Sequence, residues 1–400
     1  MTRRKVLACL PLSLAVMGAL CFSRLRSITR NGRTDTLPAT CVSSKLRERE
    51  PLQWDVLTLP GDGSFKKICF VDSDTGWAVG ENGTILHTVD GGQSWIKQVS
   101  GTSLVLFDVQ FFDKSVGYII GGDNQDEDGG FRGHFTSILL RTDDGGENWN
   151  SVNIPTRNLH WSLSFADRQT GWLLGWDPSA FNQTVVYHTT DGGATWEQNP
   201  VAIDPEGTGM FDISMLSIVD KSNIWGIGEH LVRHSTDGGA TWDIAYTKTR
   251  NAYSAFNDSV RFIDSSTGWA CERIDCGGDA IIEPDVSDCQ MGNYTFMLRT
   301  TDGGSTWHSK RAPRGDVFIS FRVLDRCFGI AAGRNYRGEH LTNIAGAVYL
   351  TTDGGETWNQ VYRQEGESFR SVFFLQDGTC WVLGNKTLLR CKLPSATQPG

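Results

Sequence analysis

From Leu52 to Cys391 the chain alternates short apolar runs with turns rich in Gly, Asp and Ser. The first cycle reads Phe65–Phe70, a turn at Asp72–Gly76, then Trp77–Gly80, Thr84–Thr88 and Trp95–Val99. Runs of this length, aromatic or β-branched and bounded by turn residues, predict four short strands, A to D. Another cycle repeats the order with Trp161–Phe165, Gly171, Trp172–Gly175 and Val185–Thr189. The last cycle supplies Ser368–Leu375, Cys380–Gly384 and Thr387–Cys391 as strands A, B and C, and no D follows. Leu52–Leu57 is the natural substitute, so the two ends of the chain share one sheet. That closure leaves no exposed sheet edge.

A second regularity fixes the repeat. Thr-x-Asp-Gly-Gly-x-x-Trp, with Ser for Thr in one copy, recurs at Thr88–Trp95, Thr142–Trp149, Thr189–Trp196, Ser235–Trp242, Thr300–Trp307 and Thr351–Trp358. Successive box aspartates (Asp90, Asp144, Asp191, Asp237, Asp302, Asp353) are 54, 47, 46, 65 and 51 residues apart. A period near 50 made of short strands is a propeller blade. The expected mechanics are local: Asp accepts backbone N–H groups two residues on, and the glycines take positive φ. The Trp then opens strand D and packs between layers. Seven box-type Trp, counting Trp54, and five strand-B Trp (Trp77, Trp172, Trp225, Trp269, Trp381) use 12 of the 14, so the indoles are structural. The expectation is an all-β, seven-bladed propeller over residues 52–391, with a linker at 31–51 and a tail at 392–400.

Composition narrows the class. With 39% apolar and 21% charged residues there is a core to bury. Net charge is 37 − 46 = −9, and residues 1–30 hold six Arg or Lys and no acid, so the rest carries 31 − 46 = −15. A body that acidic is a poor sequence-independent binder of nucleic acid, whose affinity rests on Lys and Arg displacing counterions. Thr2–Lys5 precedes an apolar run from Val6 to Phe22, followed by Arg24, Arg26 and Arg30. This is the layout of an export signal or, at residues 6–22, a membrane tether. The expected location is an exported compartment.

Eight cysteines remain outside the signal, an even number that fits disulfides in an exported chain. If Asn385-Lys386 is a two-residue turn, Cys380 faces Cys391 as a non-hydrogen-bonded pair close enough to bridge. A zinc set at Cys271, Cys276 and Cys289 lacks a nearby His, and Asp126-Glu127-Asp128-Gly129 lacks the later Glu of a calcium loop. No metal and no cofactor are expected.

Blades two, three, five and six carry extra B–C residues at about 122–136, 176–183, 271–293 and 334–346. Insertions on one rim mark a binding face. The D–A connections on that rim hold Arg157, Lys248, Arg250, Lys310, Arg311 and Arg314 without an acid between them. The insertions themselves carry Asp123, Asp126, Glu127 and Asp128, then Glu272, Asp275, Asp279, Glu283, Asp285 and Asp288. The basic arc is the candidate surface for a carboxylate-bearing peptide, because Arg grips carboxylates bidentately. Three residues before each box Asp stand His87, Arg141, His188, His234, Arg299 and Leu350, with Arg390 equivalent in blade seven. Spread over separate blades, they read as packing residues rather than metal ligands.

The boxes resemble the Asp-box (BNR) repeat. Residues 52–391 as a whole resemble the photosystem II stability and assembly factor family, most closely in Gly76-Trp77-Ala78-Val79-Gly80-Glu81-Asn82-Gly83-Thr84-Ile85-Leu86-His87-Thr88 running into Asp90-Gly91-Gly92-Gln93-Ser94-Trp95. The resemblance implies a non-enzymatic chaperone, exported to the thylakoid lumen, periplasm or extracellular space, that holds a precursor subunit through an arginine-rich surface. The long acidic insertions and the cysteines depart from that pattern. The alternative is an exported glycoside hydrolase, since sialidases share Asp boxes. A sialidase would need an arginine triad, an Arg-x-Pro motif near the first blade and a Tyr–Glu pair, and residues 52–75 contain no arginine.

Overall fold

A computed structural model of the chain describes residues 52–61, 64–124, 135–154, 159–177, 183–199, 213–228, 231–247, 260–275, 293–313, 315–337 and 343–393. The expected leader at 1–30, the linker at 31–51 and nearly all of the tail lie outside them. The described strands form seven four-stranded antiparallel sheets, six of them in chain order. In the seventh, Asp55–Thr58 is the outer strand beside Thr387–Lys392, with Thr379–Leu383 and Ser371–Phe374 inside it. The chain ends therefore close the ring in one blade, as the strand pattern predicts.

Each Asp box is a hydrogen-bonded knot. In blade one the Thr88 hydroxyl donates to Asp90 Oδ1 at 2.8 Å and accepts the Gly92 N–H at 2.9 Å. Asp90 in turn accepts the Ser94 N–H at 2.9 Å and the Ser94 hydroxyl at 2.5 Å. Asp thus reaches four residues ahead, not the two expected, because both glycines hold positive φ (75° and 97°) and fold the loop back. The same Asp-to-fourth-residue bond recurs at Asp144, Asp191, Asp237, Asp302 and Asp353.

The first box glycine also joins blades. Its N–H donates to the A–B turn of its own blade, as from Gly91 to Asp74 O at 2.7 Å and Gly145 to Ser115 O at 2.8 Å. Its carbonyl accepts the strand-B aromatic of the preceding blade. Trp77 reaches Gly145 at 3.2 Å, Tyr118 reaches Gly192 at 2.6 Å, Trp172 reaches Gly238 at 2.9 Å and Trp269 reaches Gly354 at 2.8 Å. Trp381 of blade seven reaches Gly91 of blade one at 3.1 Å, which locks the closing seam. All five strand-B Trp are fully buried.

The column of residues before the boxes packs on these rings. His87, His188 and His234 stack on Trp77, Trp172 and Trp225, while Arg141, Arg299 and Arg390 lie over Tyr118, Trp269 and Trp381. From the other side, Phe111, Phe262 and Phe70 of the next blade stack on Trp77, Trp225 and Trp381. Burial lowers the pKa of His87, His188 and His234, so they stay neutral inside the stack.

The boxes make the fold acid-sensitive. Hydrogen bonds from the Ser94 hydroxyl and N–H hold Asp90 at about 2, below an ordinary 3.8, and the Asn148 and Thr195 groups do the same for Asp144 and Asp191. A depressed folded-state pKa contributes stability above the unfolded value and loses it as pH falls through the folded one. Urea midpoints should therefore drop between pH 3.8 and about 2, and Asp90→Ala should make that dependence shallower.

Two expectations about cysteine and loop length change. Cys380 does face Cys391, and both are buried free thiols. Gly384 N–H donates to Thr387 O at 2.7 Å, so 384/387 is a hydrogen-bonded pair and so, four residues down the unbroken ladder, is 380/391. At this position the two thiols lie within hydrogen-bonding reach of one another without a bridge. Burial, then its hydrogen bond with Cys391, raises the Cys380 pKa well above normal. Cys327, by contrast, is disulfide-bonded. Much of the extra B–C length is strand: Gly117–Asn124 pairs with Phe135–Thr142, Gly268–Asp275 with Asn293–Thr300, and Gly329–Arg337 with Asn343–Thr351. The acids from Asp126 to Asp128 and from Asp279 to Asp288 lie outside the described residues.

Candidate peptide-docking face

The A–B turns and Asp boxes occupy one rim, and its polar groups are spent on the fold. Asp72, Asp113, Asp167 and Asp264 each cap their own turn. Each also takes a cation from the next blade: Lys114 meets Asp72 at 2.7 Å, Arg168 meets Asp113, Lys221 meets Asp167 at 2.6 Å and Arg326 meets Asp264 at 2.9 Å. That rim is a structural girdle.

The opposite rim, made by B–C turns and D–A connections, differs at blades six, seven and one. Arg334, near the outer end of strand B in blade six, donates through Nε to Ser368 Oγ of blade seven at 2.8 Å. Arg370, at the start of strand A in blade seven, donates through Nη1 to Ser64 Oγ of blade one at 2.6 Å. Each guanidinium thus bridges a blade seam through a neutral hydroxyl, and among the described residues neither has a carboxylate partner. Both are half-buried, which pre-orders them at low entropic cost. Glu367, the acid nearest in sequence, is occupied by the N–H groups of Ser368 at 2.9 Å and Asn385 at 2.6 Å. Lys66 and Arg363 flank the pair but are neutralised by Glu81 at 3.0 Å and by Glu365.

Beside Glu81 a cavity of about 440 Å³ opens between Pro60, Phe65, Asn82, Leu86 and Trp95. Two available guanidiniums and a cavity with Phe65, Leu86 and Trp95 in its walls suit a segment carrying a carboxylate and one apolar side chain.

The basic arc anticipated from sequence is only partly visible. Lys310 and Arg311 belong to strand D of blade five, His308–Arg311, and are exposed on the outer edge rather than in the D–A connection. Strand pairing carries the chain further than the turn signals indicate, through Lys310 opposite Met297 and Arg311 opposite Phe296. Lys310 is committed to Glu356 of the sixth box at 3.2 Å. Arg157, Lys248, Arg250 and Arg314 lie outside the described residues. Arg334 and Arg370 were missed because each looks like ordinary surface charge in its own blade. Reading the repeat by column would have found Arg370, which follows buried Phe369 as Lys66 follows buried Phe65.

Fold and boxes together define a seven-bladed Asp-box propeller. The family model for photosynthesis system II assembly factor YCF48 matches residues 46–157 and 143–250, just over half of the chain. The chain belongs to that family. It is 28% identical over 159 residues to the photosystem II assembly lipoprotein Ycf48 of Synechococcus sp. (strain CC9902), covering 39% of this chain and 43% of that protein. The match thus spans less than half of that relative's length. The chloroplastic photosystem II stability/assembly factor HCF136 of Arabidopsis thaliana is 23% identical over 324 residues, covering 72% of this chain and 75% of that protein. Among solved structures, YCF48 bound to D1 peptide superposes with a TM-score of 0.60 at 20% identity, over 87% of this chain and 96% of that one. The GH74 xyloglucanase from Xanthomonas campestris reaches 0.57 at 13% identity, over 84% and 53%. At such identities both likenesses speak for the fold alone.

Proposed function

We propose that this protein is an exported, non-catalytic assembly factor that holds an extended segment of a membrane-protein precursor, as a solved relative holds the D1 peptide. The observation that carries the reading is the pair Arg334 and Arg370, two ordered guanidiniums on one rim of an acidic body with only neutral partners. Arginine pairs of this kind recognise carboxylates with geometric as well as electrostatic selectivity. Arg157, Lys248, Arg250 and Arg314, outside the described residues, remain further candidates from the sequence. The basic n-region and apolar run at residues 1–30 support export to a periplasmic or lumenal space.

A non-catalytic role is supported by the inner strands. Glycoside hydrolysis uses two carboxylates about 5–10 Å apart. The described A strands carry two acids, Asp108 and Asp316. Asp108 is ion-paired with Lys67 at 3.3 Å, and Asp316 is buried under a hydrogen bond from Asn335. Neither is poised to donate a proton or attack a sugar. Titrating a labelled D1 peptide into the purified chain tests the reading. Saturable binding that weakens with salt is expected, and no binding together with turnover of a polysaccharide would replace it.

A further inference from the structure

Strand A of each blade faces the central channel, and four of its charged residues there come from blades on different sides of the ring. Lys67 belongs to blade one, Asp108 to blade two, Arg261 to blade five and Arg322 to blade six. Asp108 is already satisfied. Its Oδ1 faces Lys67 Nζ at 3.3 Å and accepts the Val109 N–H at 3.0 Å, and its Oδ2 accepts the Ser162 hydroxyl at 3.4 Å.

The two arginines have no such partner. Among the described residues Arg322 donates only to the carbonyl of neighbouring Phe321, at 3.1 Å. Arg261 makes two long contacts through Nη1, to Val260 O at 3.3 Å and Leu216 O at 3.5 Å, and its Nε is buried with no acceptor. Among the described residues neither guanidinium meets a carboxylate. Burial, and then the charge of Arg322, pushes the Arg261 pKa well down, and burial holds Arg322 at about 10. The remaining titratable neighbour, the Cys69 thiol, is raised to about 11 by burial and is neutral. Three cations and one anion share the channel, so two positive charges stand uncompensated on half-buried side chains. Buried charge of one sign is costly unless a counter-charge enters.

We propose that the channel is a binding site for a small monovalent anion, a halide or a formate-sized oxyanion, held between Arg261 and Arg322 with Lys67 behind it. The terminal N–H groups of the two guanidiniums supply the donors. Asp108 limits the site to a single negative charge by repelling a second. The anion ties blades five and six to blades one and two across the ring, so its effect is on stability rather than on the peptide face. This inference is independent of the assembly-factor reading.

The test uses the purified full chain at constant ionic strength, with sodium gluconate, a bulky polyhydroxy anion, exchanged stepwise for bromide or formate. Tm should rise and saturate with the small anion, and the anion acting at lower concentration identifies halide or oxyanion. The rise should vanish in Arg261→Gln and Arg322→Gln, while their Tm in gluconate equals or exceeds that of the parent because the repulsion is relieved. Bromide-soaked crystals should show an anomalous peak between the two guanidiniums, a readout that stands even if a variant fails to fold. A bromide dependence identical in both variants and the parent, or no peak in the channel, overturns the proposal.

Discussion

Trp381→Ala should be the most damaging single substitution in the chain, costing about 3–5 kcal/mol as for other buried large-to-small changes. The ring is fully buried, stacks on Phe70 of blade one at 3.9 Å and lies under Arg390. Its N–H is the bond to Gly91 that secures the seam where the chain ends meet. Losing it leaves a cavity and an unpaired carbonyl at the joint that closes the ring. Trp→Phe substitutions separate the two contributions. At Trp381 the change also removes the interblade hydrogen bond, worth about 1 kcal/mol. At Trp225 the indole N–H has no acceptor among the described residues, so the same change should cost measurably less. Denaturant midpoints of the three variants decide it, and equal losses at positions 381 and 225 would argue against the seam bond.

The second large effect is on binding. Reversing Arg334 and Arg370 together to Glu should weaken D1 peptide binding about 100-fold or more, in the range of 2–5 kcal/mol for removing groups that contact a carboxylate. Stability should move little, since each side chain forfeits one hydrogen bond to a serine and Arg334 one longer contact to the Tyr336 hydroxyl. The same reversal at Lys310 should leave affinity unchanged, because that ammonium is already paired with Glu356. A drop in Tm matching the drop in affinity would mean that the arginines act as seam braces only.

The sequence made the propeller legible because an Asp box is a local object. Thr, Asp, two glycines and Trp lie within eight residues, and their bonds stay within that span or pass to a repeated neighbour. Ring closure was equally readable, since a blade lacking strand D and a stray strand with Trp54 in the box-Trp position can only complete each other. The sulfur pairing failed on a finer point. The turn at Asn385-Lys386 gave the right register, but which class of cross-strand pair Cys380 and Cys391 occupy depends on hydrogen-bond phase.

The sites were harder to see because each is assembled from separate blades. Arg334 and Arg370 belong to neighbouring blades and reach one rim only as the blades stack, each across a different seam, while the arc at Lys310 and Arg311 rests on loop lengths that strand pairing shortens. The channel charges left a fainter trace. Three residues before the A–B turn aspartates stand Cys69, Gln110, Ser164, Ser217, Arg261 and Arg322, and two arginines in an otherwise neutral inner column are the visible signal. Gln110 and Ser217 spend their polar groups on the next blade, at Phe165 and Phe262. The arginines have no equivalent bond.

The most direct test of the assembly-factor reading is affinity purification of the tagged protein from gently solubilised native membranes, with mass spectrometry of what co-elutes. The account predicts recovery of a photosystem II reaction-centre precursor from the parent chain and its loss from the Arg334→Glu, Arg370→Glu double variant. An eluate from the parent chain that lacks any such precursor would contradict it.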